Sequence, residues 1–278
     1  MTKKTKTLLL LFPTLAFLVG LYAYPLVDML KLSFVDPTFT LKHYIHFYAS
    51  PAYFQVVLIT FKISFLVTLL CLVLGYPISY LLATQPPRVT NILMIFILIP
   101  FWTSVLVRTY AWMVLLGREG IINNLLRSAG IISSPLKLMY NLFGVNVAMV
   151  HILLPFAILP MYSVMKGIDR NLLKAAQNLG ASPTRAFIKI YLPLSLPGVG
   201  ASVLLTFILS LGFFITPALM GGLRDVMISM LIETQVNELL NWGFASAMAT
   251  IFLFLTLIIF FIFNRFLGFE KMWGNSIR

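Results

Sequence analysis

The sequence predicts an all-α integral membrane protein with six transmembrane helices, both termini on the cytoplasmic side, and a cytoplasmic helix–turn–helix between the fourth and fifth spans. Two observations carry this fold class. Of 278 residues, 60% are hydrophobic and only 10% are charged, with a mean hydropathy of +0.97, whereas a soluble domain carries about 25% charged residues. The apolar residues also fall in long blocks, and about 20 of them suffice to cross ~30 Å of hydrocarbon. The spans follow one another closely enough to make residues 1–278 one transmembrane domain.

The six blocks are 8–30, 54–83, 91–116, 142–165, 198–220 and 243–266. The first follows Lys3, Lys4 and Lys6, as a signal peptide would. Its apolar run is longer than a signal h-region and no small-x-small cleavage site follows, so it reads as a retained span. Orientation comes from the positive charges. With the N-terminus inside, Lys3, Lys4, Lys6, Arg88, Lys166, Arg170, Lys174, Arg185, Lys189, Arg265, Lys271 and Arg278 are cytoplasmic. Only Lys31, Lys42, Arg118, Arg127, Lys137 and Arg224 are then outside, a ratio of about two to one.

The net charge of +12 does not point to nucleic acid, because the Lys and Arg sit between apolar blocks and form no basic face. Cys71 is alone, which excludes an intramolecular disulfide and a thiolate metal cage; it reads as packing. His43 and His46 read as surface histidines in the first outer loop. In the second outer loop, residues 120–126 read as a short amphipathic helix on the bilayer surface, and Glu233 and Glu238 mark a similar pattern in the third.

The one long cytoplasmic loop, 166–197, is too ordered to be a connector. Asp169 is a good N-cap, and Gly180 stands where a helix ends in the left-handed conformation. Between them Leu172, Leu173, Ala176 and Leu179 repeat at helical spacing. Ser182-Pro183 restarts a helix with a cap and a first-turn proline. Leu192-Pro193 and Pro197-Gly198 are expected to stop it. Ala175-Ala176 and Gly180 present little for lipid to grip and allow close approach by another protein, which suits a knob inserted into a partner's groove.

The spacing Ala175-Ala176, three residues, Gly180, nine residues, Ile190-x-Leu192-Pro193 resembles the cytoplasmic EAA loop of ABC importer permeases. Lys174 stands where that family usually has Glu, which inverts a charge at the expected ATPase contact. Leu74-Gly75-Tyr76-Pro77, Pro100-Phe101-Trp102-Thr103-Ser104, Arg108-Thr109-Tyr110-Ala111-Trp112 and Thr216-Pro217-Ala218-Leu219-Met220-Gly221-Gly222 resemble the spermidine/putrescine subfamily.

The resemblance implies a bacterial inner-membrane permease subunit, half of a translocation pore, that is not itself an enzyme. Its expected partners are a cytoplasmic ABC ATPase dimer, a second homologous permease, a periplasmic or lipid-anchored solute-binding protein, and membrane lipid. Lys174, Ala175, Ala176, Gly180, Ala181, Ile190, Leu192 and Pro193 would couple it to the ATPase. No cofactor would bind this chain; ATP and Mg²⁺ would be used by the ATPase, and no G-x-x-x-x-G-K-[ST] occurs here. The implied solute is a polyamine such as spermidine or putrescine, with an opine, amino acid or other small nitrogenous solute as the alternative. Related polyamine permeases lead one to expect an acid near position 218, where this chain has Ala218. A self-contained secondary transporter would leave the EAA spacing unexplained.

Ionisable residues inside spans are candidates for function because lipid exposure is expensive. Lys62 is close enough to its span's end to snorkel. Arg108 is deeper, among Thr103, Ser104, Thr109 and Tyr110, and reads as structural or gating. Trp102, Arg108, Tyr110, Phe213, Phe214 and Asp225 are the candidates for the translocation path or gate. Asp28 and Asp225, near the outer interface, could attract a cation. No His/Asp/Glu cluster, Ser–Lys pair or metal motif points to catalysis.

Overall fold

The computed structural model describes residues 3–267, and among them the regular structure is helical. The helices are α1 Lys3–Phe34, α2 Lys42–Ala49, α3 Pro51–Thr84, α4 Pro87–Leu98, α5 Val105–Leu116, α6 Ile121–Ser128 and α7 Leu142–Lys166. They continue as α8 Asn171–Asn178, α9 Pro183–Ala186, α10 Leu192–Leu211, α11 Ile215–Met220, α12 Ile228–Asn237 and α13 Trp242–Leu267. Five helices are long and apolar enough to cross a membrane, and a bent pair brings the count to six. The chain divides into two units, one of residues 1–55 with 231–257 and one of 56–230 with the remainder.

The larger unit is organised around α7. Its apolar residues Val145, Ala148, Met149, Leu153, Ala157 and Met161 are buried and meet Ile63, Val67 and Cys71 of α3. Lipid offers no hydrophobic drive for helices to associate, so close approach and polar contacts must do it. Both are present. A Cβ at Gly198 of α10 would lie 3.0 Å from Met161 Cα, and one at Gly75 of α3 would lie 3.0 Å from Met161 Cε. Ser202 donates to the Ala157 carbonyl at 2.6 Å, Ser79 to that of Ile158 at 3.1 Å, and Cys71 Sγ to that of Val150 at 3.7 Å.

Three sequence expectations change here. The predicted third span, 91–116, is not one helix. A 3₁₀ turn at Ile99–Trp102 ends α4, Thr103 is extended, and Ser104 caps α5, so that the two parts are bent by 100°. Pro100 breaks the ladder and the Ser104 hydroxyl takes the Leu106 N–H at 3.2 Å, which begins a new helix. The fifth span starts earlier than 198, because Leu192-Pro193 and Pro197-Gly198 do not stop the helix. A π turn at Phe187–Tyr191 joins α9 to α10, and a wider turn at that point accommodates the missing proline N–H. The same span ends at Leu211 rather than Met220; Gly212 to Phe214 break it and α11 is separate.

The expected loop helix forms as α6, with Ile121 and Leu125 exposed, and one side chain ties it to the protein. Asn123 of α6 is fully buried. Its amide donates to the Gly117 and Leu136 carbonyls, both at 3.0 Å, and its Oδ1 accepts the Leu136 N–H at 2.8 Å. A single side chain thereby closes the turn before α6 onto the extended segment that leads to α7.

In the smaller unit, α1 is apolar and exposed over residues 11–22, while near its end Ser33 is buried and accepts the Tyr44 hydroxyl of α2. His43 of α2 is buried rather than at the surface. Its Nε2 lies 3.0 Å from Asp36 Oδ2, and Lys42 Nζ lies 3.0 Å from the same oxygen. Hydrogen bonds from Lys42 and then His43, reinforced by the Lys42 charge, hold the Asp36 carboxyl below its usual 3.8. Sequence spacing gave no sign of this because the partner lies across the turn formed by Val35 and Phe39.

Candidate functional site

The loop at 166–197 forms a hairpin of α8 and α9. Asp169 Oδ1 accepts the Asn171 N–H at 2.9 Å, capping α8 one residue ahead of its first turn. The C-terminal end is a Schellman motif. The Gly180 N–H reaches the Gln177 carbonyl at 2.9 Å and the Ala181 N–H that of Ala176 at 3.0 Å. Gly180 has φ +90° with nothing near its Cβ direction, so backbone conformation rather than space demands glycine. Ser182 Oγ then accepts the Arg185 N–H at 3.3 Å to start α9, with Pro183 in the first turn.

The predicted stripe of α8 straddles the edge of the hairpin. Leu173 and Phe187 pack against the core, whereas Leu172 is half-exposed and Leu179 is 89% exposed. Lys174, Ala175 and Gly180 lie on the open surface; Ala176 and Ala181 are half-buried. Ile190 and Leu192 are half-buried in the helix that continues into α10, and Pro193 is exposed. The hairpin is anchored from behind. Arg170 donates to the Ala83 carbonyl at the end of α3, and Phe187 stacks on Tyr191 and edges onto Tyr80, with centroids 5.5 Å apart in each case. A rigidly backed knob with an apolar tip is built to be held by something else.

The second candidate region surrounds the α4–α5 break. Trp102 projects from it, 92% exposed, and Tyr110 is half-exposed one turn into α5. Beneath them polar groups pair across helices. Thr109 donates to the Val105 carbonyl at 2.9 Å, and its oxygen lies 2.9 Å from the Thr216 hydroxyl of α11, which must then be the donor. Trp112 Nε1 donates to His151 Nδ1 of α7 at 3.1 Å. An indole only donates, so His151 is an acceptor at Nδ1. The Arg108 Nε is buried without a hydrogen-bond partner.

His151 escaped the sequence reading because its partner is 39 residues away, although a lone histidine within an apolar span was signal enough to single it out. Phe213 and Phe214 are half-buried at the α10–α11 break, where the Phe213 carbonyl accepts the Ser229 hydroxyl at 2.7 Å. Asp225 is buried, and its Oδ2 accepts the Gly222 N–H at 3.0 Å; it shapes the turn that follows α11. With Tyr140, Asn141, Ala218 and Arg224 it lines a cavity of about 770 Å³. Lys62 is exposed on α3.

Over 239 residues the chain is 37% identical to the spermidine/putrescine transport system permease protein PotB of Escherichia coli (strain K12), covering 85% of this chain and 86% of that one. It is 34% identical over 226 residues to the protein of the same name from Haemophilus influenzae, covering 81% and 79%. Its fold superposes with a TM-score of 0.79 on a chain of a bacterial ABC transporter involved in the import of the acidic polysaccharide alginate, at 18% identity over 96% of this chain and 97% of that one. Residues 75–269 match the family described as binding-protein-dependent transport system inner membrane component. The chain belongs to that family.

Proposed function

We propose that this chain is the membrane-spanning permease subunit of an ATP-driven importer, forms half of its translocation pore, and moves a polyamine such as spermidine or putrescine. The observation that carries the transport role is the α8–α9 hairpin, presented as an exposed knob while its base is locked to α3 and its second helix runs unbroken into α10. The polyamine rests on the PotB relatives, which share most of their length with this chain.

In this reading both termini are cytoplasmic, and a partner ATPase grips Leu179, Gly180, Ala181 and the open face at Lys174 and Ala175. The ATPase alone uses ATP and Mg²⁺. Ile190, Leu192 and Pro193 transmit the motion into α10. A second permease completes the pore, and a solute-binding protein delivers solute to the outer face. The path runs beside the α4–α5 break. Non-helical backbone at membrane depth is tolerated only where protein or a water-filled cavity covers it. Trp102, Thr103 and Ser104 are exposed in this chain, so an aqueous path or a second subunit must meet them. Trp102 and Tyr110 offer aromatic faces to a cation, with Phe213 and Phe214 at the gate.

The test is co-purification from membranes with the chain tagged, alongside uptake of labelled spermidine. The intact chain should bring down an ATPase and a second permease, and Gly180→Arg should lose the ATPase and the uptake. A chain that purifies alone in both forms would refute the coupling role. Uptake of another solute with spermidine ignored would refute the polyamine.

A further inference from the structure

We infer that Arg108 is neutralised by a carboxylate on a membrane-spanning helix of the second, homologous permease. The inference rests on the proposed pore of two permeases. Arg108 lies in the first turn of α5, eight residues before Leu116, or about 12 Å along the helix axis. Its side chain is half-buried, whereas that of Lys62 on α3 is exposed. Its Nε is buried with no hydrogen-bond partner, and among the described residues it forms no ion pair. A guanidinium cannot shed its proton to escape the cost, so an unpaired Arg108 in a bilayer demands an acceptor.

This chain has none to offer. Its sequence contains no Asp or Glu between Asp36 and Glu119, Glu119 and Asp169, Asp169 and Asp225, or Glu238 and Glu270. Helices α3, α4, α5, α7, α10 and α13 are therefore free of acids, and the nearest polar neighbours on α5 and α7 are already committed to each other. Trp112 donates to His151, and Thr109 donates to the Val105 carbonyl while accepting from Thr216 of α11. Asp28 of α1 is the sole carboxylate in any membrane-spanning helix of this sequence. Beside Arg108, α5 shows an open apolar face of Val107, Tyr110 and Val114, each at least half exposed. A neighbouring helix can seat there and bring its own acid to the guanidinium. Two copies of this chain would place two arginines at the interface with little to neutralise them.

The experiment uses the whole importer purified from membranes, with Arg108→Lys, Arg108→Gln and Arg108→Glu in this chain. Recovery of the second permease and uptake of labelled spermidine are the readouts. Arg108→Lys should keep assembly, and Arg108→Gln should lower partner recovery by about tenfold, in line with a loss near the top of intramembrane polar couplings. Arg108→Glu should fail alone and recover when one acidic residue in a partner span is changed to Arg. Such charge-swap rescue is not expected of an arginine that serves only as packing.

A complex that assembles normally with Arg108→Gln overturns the inference, and so does a shift of solute preference without loss of assembly, which would place Arg108 against solute. If Asp28→Asn reproduces the loss, a second copy of this chain supplies the acid and the inference fails. If the unsubstituted chain recovers no second permease, the proposed pore itself is wrong.

Discussion

Met161 is enclosed by two glycines that differ in what a methyl group would strike, and this difference makes a sharp prediction. At Gly198 a Cβ would sit 2.9 Å from Val164 Cβ, 3.0 Å from Met161 Cα and 3.2 Å from the Pro160 carbonyl oxygen. Two of these are backbone atoms, and carbon contacts are comfortable only near 3.5–4.0 Å. Gly198→Ala must therefore push α10 off α7 by several tenths of an ångström. Overpacking of this kind costs about 1–3 kcal/mol, against which alanine returns about 1 kcal/mol of helix propensity. The net loss is up to about 2 kcal/mol. At Gly75 the close atom is Met161 Cε at 3.0 Å, the mobile end of an adaptable side chain. There the methionine swings aside and the propensity gain leaves Gly75→Ala within about 0.5 kcal/mol of neutral. Gly20→Ala, with nothing within 4 Å, is the control. Heat-challenged, detergent-solubilised protein run on fluorescence-detected size exclusion should give midpoints in the order Gly198→Ala below Gly75→Ala, with Gly20→Ala at or above wild type. Equal losses at positions 75 and 198, or a neutral Gly198→Ala, would show that the α7–α10 contact is looser than drawn.

Asn123→Ala strands the Leu136 N–H and two carbonyls, so the segment before α7 should open. We expect a loss of about 2 kcal/mol, since water can reach part of the site, and new proteolytic cleavage between residues 129 and 140; an unchanged digest would refute this. Thr109→Val and Thr216→Val should couple by about 0.6 kcal/mol and not more than about 1.7 in a double-mutant cycle; zero coupling would mean the hydroxyls do not bond. The depressed Asp36 carboxyl stabilises the 36–43 turn above its ordinary 3.8, and the contribution is lost as pH falls through the lower folded value. Hydrogen exchange of α2, corrected for intrinsic rate, should quicken below about pH 3.8, and Asp36→Asn should remove that acid dependence.

Local signals were legible and long-range ones were not. The α8–α9 hairpin could be read because each of its turns is fixed within five residues: Asp169 at the start, Gly180 at the Schellman end, Ser182-Pro183 at the restart. Span existence was legible because apolar length alone sets it. Breaks within apolar runs were not, since hydropathy is blind to the 100° bend at Thr103-Ser104, although Pro100 followed by a capping serine was a usable clue. Prolines misled in the opposite sense: a π turn ahead of Pro193 carries the helix on, and α10 continues through Pro197. His43 with Asp36 and Trp112 with His151 needed the fold, because burial and partner come from other elements.

These departures from simple spans fall into a pattern that bears on how a pore could open. The helix from Pro183 to Leu211 runs for 29 residues, about 44 Å at 1.5 Å per residue, from the exposed hairpin past Gly198 on α7. It runs without a helix end until Gly212. A second break in this unit is Thr103-Ser104. The pieces beyond the two breaks, α11 and α5, are tied to each other by Thr216 and Thr109. A pull on the hairpin would therefore pass along α10 as a rigid lever. At Gly212 it would reach α11, which is bonded to α5 and packs by Met220 against α7, and α5 carries Arg108, Tyr110 and the adjacent Trp102. Unbroken six-helix geometry would spread that motion over the whole bundle. Two breaks joined by the Thr109–Thr216 pair would instead direct it toward the helices that hold the candidate gate.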